Sequence, residues 1–143
     1  MSGGASEADL VSIRHGLELF NAGDFETLYR DVFHAEIDFH GDPQISVLTG
    51  LPVLRKGAEQ VRGAWEAFFA MFDDLELTDV ELEPNPDGIV LGSCRMIARG
   101  GASEVPTDAM FHLAWVLRDG RWRFLAAKLD RDEVERALAD WLR

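Results

Sequence analysis

Two residues close together in the sequence have side chains suited to acid–base chemistry, His40 and Asp42. They fall at the end of the alternating segment 36–41, EIDFHG, which predicts a strand that stops before Pro43. A carboxylate beside apolar groups becomes a stronger base, because burial disfavours its charged form, and an imidazole changes charge near neutral pH. We therefore predict Asp42 as a general base and His40 as its acid–base neighbour.

Each of these residues also has a simpler interpretation. An aspartate that precedes a proline often only starts a turn, and strand alternation can place His40 on the outer face beside Asp38. His34, Asp38 and His40 have the one spacing that suggests a metal site, but a third fixed ligand is not evident. No metal or cofactor is therefore predicted.

Helices come first in the chain and strands follow, and this order predicts an α+β fold. Apolar residues at helical spacing predict four helices, over 6–20, 25–33, 58–72 and 131–142. Alternating residues predict strands over 36–41, 75–83, 89–99, 104–117 and 121–129. The segment 42–57 has two prolines and two glycines and is predicted to be a loop with at most one short strand. We expect one domain over 1–143, with residues 1–5 flexible.

Composition excludes several classes of function. The net charge of −12 repels phosphate backbones and anionic membranes, so neither a nucleic acid nor a membrane is expected as a partner. The N-terminal residues lack the basic and apolar regions of a signal peptide, and Cys94 is the only cysteine, so no internal disulfide can form. A cytoplasmic location is the resulting expectation.

The predicted strand 104–117 is apolar on both faces. Phe111, Leu113 and Trp115 alternate with Ala114 and Val116. An antiparallel strand usually exposes one face to water, so a second apolar face indicates another covering surface. A second copy of the chain is the simplest candidate, and a homodimer through the outer sheet face is predicted.

Three stretches of sequence, in this order, carry a family resemblance. LFNAGDFETLYRDVFHAEIDFHGDP, KGAEQVRGAWEAFFAMFDDLEL and ARGGASEVPTDAMFHLAWVLRDGRWRFLAAKLDRDEVERAL together resemble SnoaL-like and ketosteroid-isomerase-like proteins of the nuclear transport factor 2-like superfamily. The resemblance implies a cone-shaped barrel, in which a strongly curved, mostly antiparallel sheet wraps around the N-terminal helices and a pocket. It also implies homodimers.

The predicted pocket wall is mostly aromatic, as suits a small apolar ligand. An aromatic stripe is equally typical of a plain core, and in a cone the core is also the wall. Arg95 is a candidate clamp for a ligand anion, although a structural ion pair explains it as well. The predicted ligand contacts are Tyr29, Phe39, Trp65, Phe69, Arg95, Leu113 and Trp115.

The catalytic residues of the family are mostly missing at the matching positions. Gly16 stands where ketosteroid isomerases have a tyrosine, and Leu113 where they have an oxyanion-stabilising aspartate. Leu113 and Ala127 replace the His and Asp of SnoaL-type cyclases, and Ile97 replaces an epoxide hydrolase Asp. Two functions stay open: cofactor-free acid–base chemistry of the isomerase, cyclase or epoxide hydrolase type, and a non-catalytic module for ligand binding or protein interaction.

Overall fold

The computed structural model describes residues 7–101 and 108–143, and its elements follow the predicted order. The helices are α1 (Glu7–Asn21), α2 (Phe25–Thr27), which continues into a π-helical turn at Leu28–Val32, α3 (Pro43–Thr49), α4 (Ala58–Phe69) and α5 (Arg131–Leu142). The strands are β1 (Phe33–His40), β2 (Leu54–Lys56), β3 (Asp74–Asn85), β4 (Ile89–Arg99), β5 (Asp108–Arg118) and β6 (Arg121–Lys128). The predicted helix start at Ser6, the segment 1–5 and the strand start at Glu104 lie outside the described residues.

The six strands form one curved, open sheet in the order β2-β1-β6-β5-β4-β3. Only β1 and β6 pair in parallel, so the sheet is mostly antiparallel. In β3 an extra residue interrupts the register with β4 between Thr78 and Glu81, and Asp79 there has a φ of 52°. A bulge of this kind bends a strand and increases its twist. The α+β cone that the resemblance implied is confirmed.

The inner face of the sheet packs against α1, α2 and α4 in one large core. Ile13 and Leu17 bring the apolar stripe of α1 to this core, and Val61 does the same for α4. Two helices begin at a capping aspartate. Asp24 accepts the Thr27 N–H at 3.1 Å at the start of α2, and Asp130 accepts the Asp132 N–H at 2.8 Å at the start of α5.

Strand β5 has two apolar faces, as predicted, but the second one is covered within the chain. Its odd-numbered residues from Phe111 to Leu117 face the large core, whereas Ala114 and Val116 are fully buried in a second cluster under α5. The side chains of Val134, Leu138 and Trp141 cover them there. The apolar pattern at 114 and 116 therefore does not require a second copy of the chain, and the homodimer stays a prediction.

The segment 42–57 contains the one short strand that the prediction allowed, β2, but it also contains a helix, so its prediction as a loop is wrong for α3. Asp42 caps α3, Pro43 occupies its first turn, and Gly50 ends it with a φ of 77°. An Asp-Pro start and a glycine stop are ordinary helix boundary signals. Proline and glycine break helices in their interior, which favoured a loop. Here Pro43 and Gly50 stand at the two ends of α3, where both residues are compatible with a helix.

Candidate functional site

An apolar cavity of about 140 Å³ lies on the inner face of the sheet. Its walls come from α1, α4 and five strands, and α3 with residues 51–53 closes one side. Its side chains include Phe39, Trp65, Phe68, Leu113, Trp115 and Ala127. We call this space the inner cavity. It is the size of engineered apolar cavities of about 150 Å³ that hold one benzene molecule.

Four of the predicted ligand contacts lie on the wall of the inner cavity: Phe39, Trp65, Leu113 and Trp115. Phe39 contacts Trp65 edge to face, with ring centroids 5.5 Å apart. Trp115 is fully buried and forms part of the cavity floor. Whether any of the four binds a ligand stays a prediction.

Tyr29 and Phe69 are not among the residues that line the inner cavity. Tyr29 is exposed, and the guanidinium of Arg62 lies 5.4 Å from the centre of its ring. Phe69 packs against Phe20 and Phe25, with ring centroids 5.7 Å and 5.4 Å away. Helical spacing put both residues in an aromatic stripe, whereas Tyr29 lies exposed in the π-helical turn and Phe69 packs against other core rings.

Arg95 is also absent from the inner cavity, because its side chain points to the outer face of the sheet. It pairs across the strands with Met110, an exposed outer-face residue. Its guanidinium binds both carboxylate oxygens of Asp108, with Nε 2.8 Å from Oδ1, and this contact raises the pKa of Arg95. The structural ion pair is therefore the correct interpretation of Arg95.

Asp42 borders the inner cavity and is only 5% exposed, but its carboxylate is held by backbone groups. Oδ1 accepts the N–H of Gln44 at 2.7 Å and of Ile45 at 3.3 Å, so it caps α3. Oδ2 accepts the N–H of Leu129 at 2.9 Å, which ties α3 to the end of β6. The turn-forming interpretation of Asp42 thus describes its contacts, and its position on the cavity wall keeps the base role open.

His40 and Asp42 do not form the predicted acid–base pair. His40 belongs to the outer face, where its ring lies 5.0 Å from that of Phe124 in the cluster under α5. Burial, and next the nearby Lys128 ammonium, lower the pKa of His40. Strand alternation, noted above as the alternative, is the physical reason that Phe39 faces the cavity while His40 faces away.

Lys128 is a buried charged residue that the sequence analysis missed. Its ammonium donates to the Gly41 carbonyl at 2.6 Å, directly before Asp42, and its side chain is nearly inaccessible. Burial lowers its pKa, whereas the Asp42 carboxylate acts in the opposite direction. Nothing in the sequence marks this lysine, because it stands at the polar end of a strand where an exposed charge is usual.

The structure explains why the isomerase tyrosine has no counterpart at Gly16. A side chain there would meet the Trp122 ring, which approaches to 2.4 Å from the position of an added Cβ. Trp122 is fully buried, so it fills the space in which a catalytic tyrosine would lie. Leu113 and Ala127 complete an apolar wall at the cyclase positions.

The polar side chains of the cavity wall are few and mostly engaged. Ser46 donates to the Leu51 carbonyl, and Thr49 donates to the Ile45 carbonyl at 2.8 Å. Burial raises the pKa of the Cys94 thiol to about 11, so it stays protonated. In residues 7–101 and 108–143 no three His, Cys, Asp or Glu side chains come together as metal ligands.

Among the described residues, no helix combines the length and the apolar character that a membrane span requires.

Comparison with solved structures supports the fold. Bal32a, from a soil-derived mobile gene cassette, is 21% identical over 85% of this chain and 88% of its own, with a TM-score of 0.72. TerC, co-crystallized with polyporic acid, is 14% identical over 93% of this chain and 99% of its own, with a TM-score of 0.71. IdmH of Streptomyces antibioticus, a candidate polyketide cyclase, is 20% identical over 92% of this chain and 98% of its own, with a TM-score of 0.65.

No curated protein sequence matches this chain. The SnoaL-like domain model matches residues 13–125, which run from within α1 to within β6 and include every residue of the inner-cavity wall except Ala127. Together with the curved sheet and the helix-lined cavity, this match shows that the chain belongs to the SnoaL-like domain family.

Proposed function

We propose that this protein binds a small apolar molecule, with a body about one ring in size, in the inner cavity. The observation that carries the proposal is the cavity itself, about 140 Å³ of space with a wall made almost entirely of carbon. An apolar void of this size is unfavourable when empty, and a ring that fills it gains the lost packing contacts.

The size of the cavity makes the proposal specific. A benzene-sized or monocyclic terpene-sized molecule fits the available volume, whereas a four-ring steroid requires α3 and residues 51–53 to move. Binding only to the native state raises unfolding stability by about 2.7 kcal/mol at a ligand concentration one hundred times Kd. Thermal shifts are therefore expected with toluene and with limonene, and none is expected with a steroid.

A variant that fills the cavity provides the matched control. Ala127 lies on the cavity wall, so Ala127→Leu places extra atoms in the void. We expect this variant to unfold at or above the midpoint of the unmodified protein and to lose the shift with toluene. An unchanged toluene shift in Ala127→Leu, or the absence of a shift with every one-ring compound, would refute binding in the inner cavity.

Cofactor-free acid–base catalysis is the second candidate, and the position of Asp42 on the cavity wall favours it. A base there would remove a proton next to a carbonyl of a bound one-ring ketone. The test is hydrogen–deuterium exchange of phenylacetone in D2O, followed by NMR. Exchange above the buffer rate that disappears in Asp42→Asn supports catalysis, and exchange at the buffer rate supports binding alone.

The homodimer and the cytoplasmic location are proposals that rest on the sequence. A homodimer through the outer sheet face would use the part of that face beyond α5, which carries Arg95 and His112 and is more polar than expected. Sedimentation velocity over a hundredfold range of concentration tests it, and a single monomeric species throughout would refute the dimer. The buried, unpaired Cys94 thiol suits the reducing cytoplasm.

A further inference from the structure

One arginine near the inner cavity has a buried polar atom without a partner. Nε of Arg55 is inaccessible to solvent and has no hydrogen-bond acceptor, and the part of the chain that the structure describes offers Arg55 no ion pair. An exposed arginine without a partner is unremarkable, since water satisfies it. A guanidinium nitrogen removed from water is different, because a buried donor without an acceptor is costly.

The strand register puts Arg55 on the cavity side of β2. Arg55 stands directly opposite Phe39, so both side chains leave the sheet on the same face, and Phe39 lines the inner cavity. Val53, two residues earlier and on the same face, also lines it. Leu54 and Lys56, on the other face, are exposed, while Arg55 is partly buried.

Two acidic side chains, one on the neighbouring strand β1 and one just after it, are already engaged. Both oxygens of Asp42 accept backbone N–H groups. Asp38 accepts from Arg123 at 3.2 Å and from the Trp141 indole at 2.8 Å on the outer face. Arg55 therefore has a fixed positive charge beside an apolar cavity, with these two carboxylates committed elsewhere.

Two other buried donors lack partners, and neither offers the same opportunity. They are the indole nitrogens of Trp115 and Trp122. Both side chains are neutral, and neither has any exposed surface. Arg55 combines a charge and a partly exposed side chain with a place on the cavity face of β2.

We propose that Arg55 binds the carboxylate of the ligand while the apolar ring of the same molecule occupies the inner cavity. This inference rests on the proposed function and names its ligand class, a one-ring organic acid with the carboxylate on a short chain. The planar guanidinium presents its donors in a fork that matches a carboxylate, and the cavity holds one ring. Arg55 is thus a specificity residue and takes no part in chemistry.

Isothermal titration with 3-phenylpropionate and its neutral amide, 3-phenylpropanamide, tests the assignment. The two probes share the ring and chain and differ in charge. We expect the unmodified protein to bind the acid about tenfold or more tightly than the amide, as for a hydrogen bond to a charged group. Arg55→Gln is expected to remove this preference, and Arg55→Lys to restore only part of it.

Lys56→Gln is the matched control, because it removes the same charge from the adjacent residue on the opposite face. It is expected to keep the preference for the acid, and thermal unfolding of each variant checks that it folds. Equal affinity for acid and amide, or a preference that survives Arg55→Gln, overturns the role of Arg55 while amide binding still supports the inner cavity. Failure of both probes to bind overturns the role of Arg55, and if toluene also fails, it overturns the proposed function as well.

Discussion

Both faces of the sheet at β5 and β6 carry a cluster of buried apolar residues, but the two clusters are covered differently. On the outer face one helix, α5, packs onto Ala114, Val116 and Phe124, each of which is fully buried. On the inner face α1, α2, α4 and the α3 segment share the covering, and the inner cavity remains between α1, α4, the α3 segment and the sheet. An apolar pattern therefore specifies that a face is covered, but not whether the cover fills the space.

The geometry of the covering elements accounts for the difference. A single amphipathic helix brings its stripe, Val134, Leu138 and Trp141, into direct contact with the outer face, where Phe124 and Trp141 have ring centroids 5.0 Å apart. The concave inner face is curved by the bulge in β3, and its cover is shared between several helices. The void remains on the side of α3.

Truncation of one phenylalanine on each face has the largest expected effect. Phe124→Ala removes a fully buried ring from the filled outer cluster, and we expect a loss of about 3–5 kcal/mol in unfolding free energy. Phe111→Ala removes a ring that already borders the inner cavity, so fewer contacts are lost and about 2 kcal/mol is expected. Urea unfolding measures both, and equal losses would contradict the difference in filling.

The inner face is itself tightly packed at the α1 end, which Gly16→Ala tests. The added methyl group would lie 2.4 Å from the Trp122 ring, so we expect a loss of about 1–3 kcal/mol by urea unfolding. Gly63→Ala in α4 is the control, because nothing lies within 4 Å of that Cβ, and a gain of about 0.5–1 kcal/mol is expected there. A neutral Gly16→Ala variant would show that the inner face is loose along its whole length.

Local signals predicted most of the fold. The last helix was predicted over 131–142 and observed as Arg131–Leu142, because its cap, Asp130, and its apolar stripe are both encoded within a few residues. The hairpins succeeded for the same reason, since turn residues and alternation are neighbours in the chain. Helix α3 was missed because its boundary residues are also loop residues, and only packing against the cavity decides between the two.

The candidate site was predicted less well, because side-chain partners come from distant parts of the chain. Proximity in sequence suggested His40 with Asp42, but alternation places His40 against Phe124. Arg95 was predicted as a candidate clamp for a ligand anion. Its guanidinium instead forms ion pairs with Asp108 and Asp79, which the sequence did not identify as its partners. The arginine with the unsatisfied atom is Arg55, and no spacing rule distinguishes the two before the strands are paired.

Asp42→Asn tests whether this carboxylate holds the α3 segment closed over the inner cavity. An asparagine can still cap α3, but its amide cannot accept the Leu129 N–H that Oδ2 now accepts at 2.9 Å. We expect a loss of about 1–2 kcal/mol for this unsatisfied group. Asp130→Asn, where one oxygen makes the single capping bond to Asp132, is expected to change stability by less than about 0.5 kcal/mol.

Guanidinium unfolding compares the two aspartate variants. Equal effects would show that the bond between α3 and the end of β6 adds nothing to the cover of the inner cavity.

The smallest expected effect is a pH dependence that originates on the filled outer face. Burial, then Lys128 and to a lesser extent Lys56, lower the pKa of His40, and Asp38 only partly opposes them. The unfolded chain therefore takes up a proton more readily than the folded one. The contribution of neutral His40 is complete above its unfolded pKa of about 6.5 and is lost as the pH falls from there to the lower folded value.

We expect the unfolding free energy of the protein to fall as the pH is lowered from 7 to 5, and His40→Gln to reduce this slope. One proton limits the difference to about 1.4 kcal/mol per pH unit. His15→Gln, on the exposed surface of α1, is the control and is expected to keep the slope. Urea unfolding at half-unit pH steps measures the pH dependence of the unfolding free energy for each variant. A slope unchanged in His40→Gln would mean that protonated His40 is accommodated under α5, and that the outer face is less tightly closed than its packing indicates.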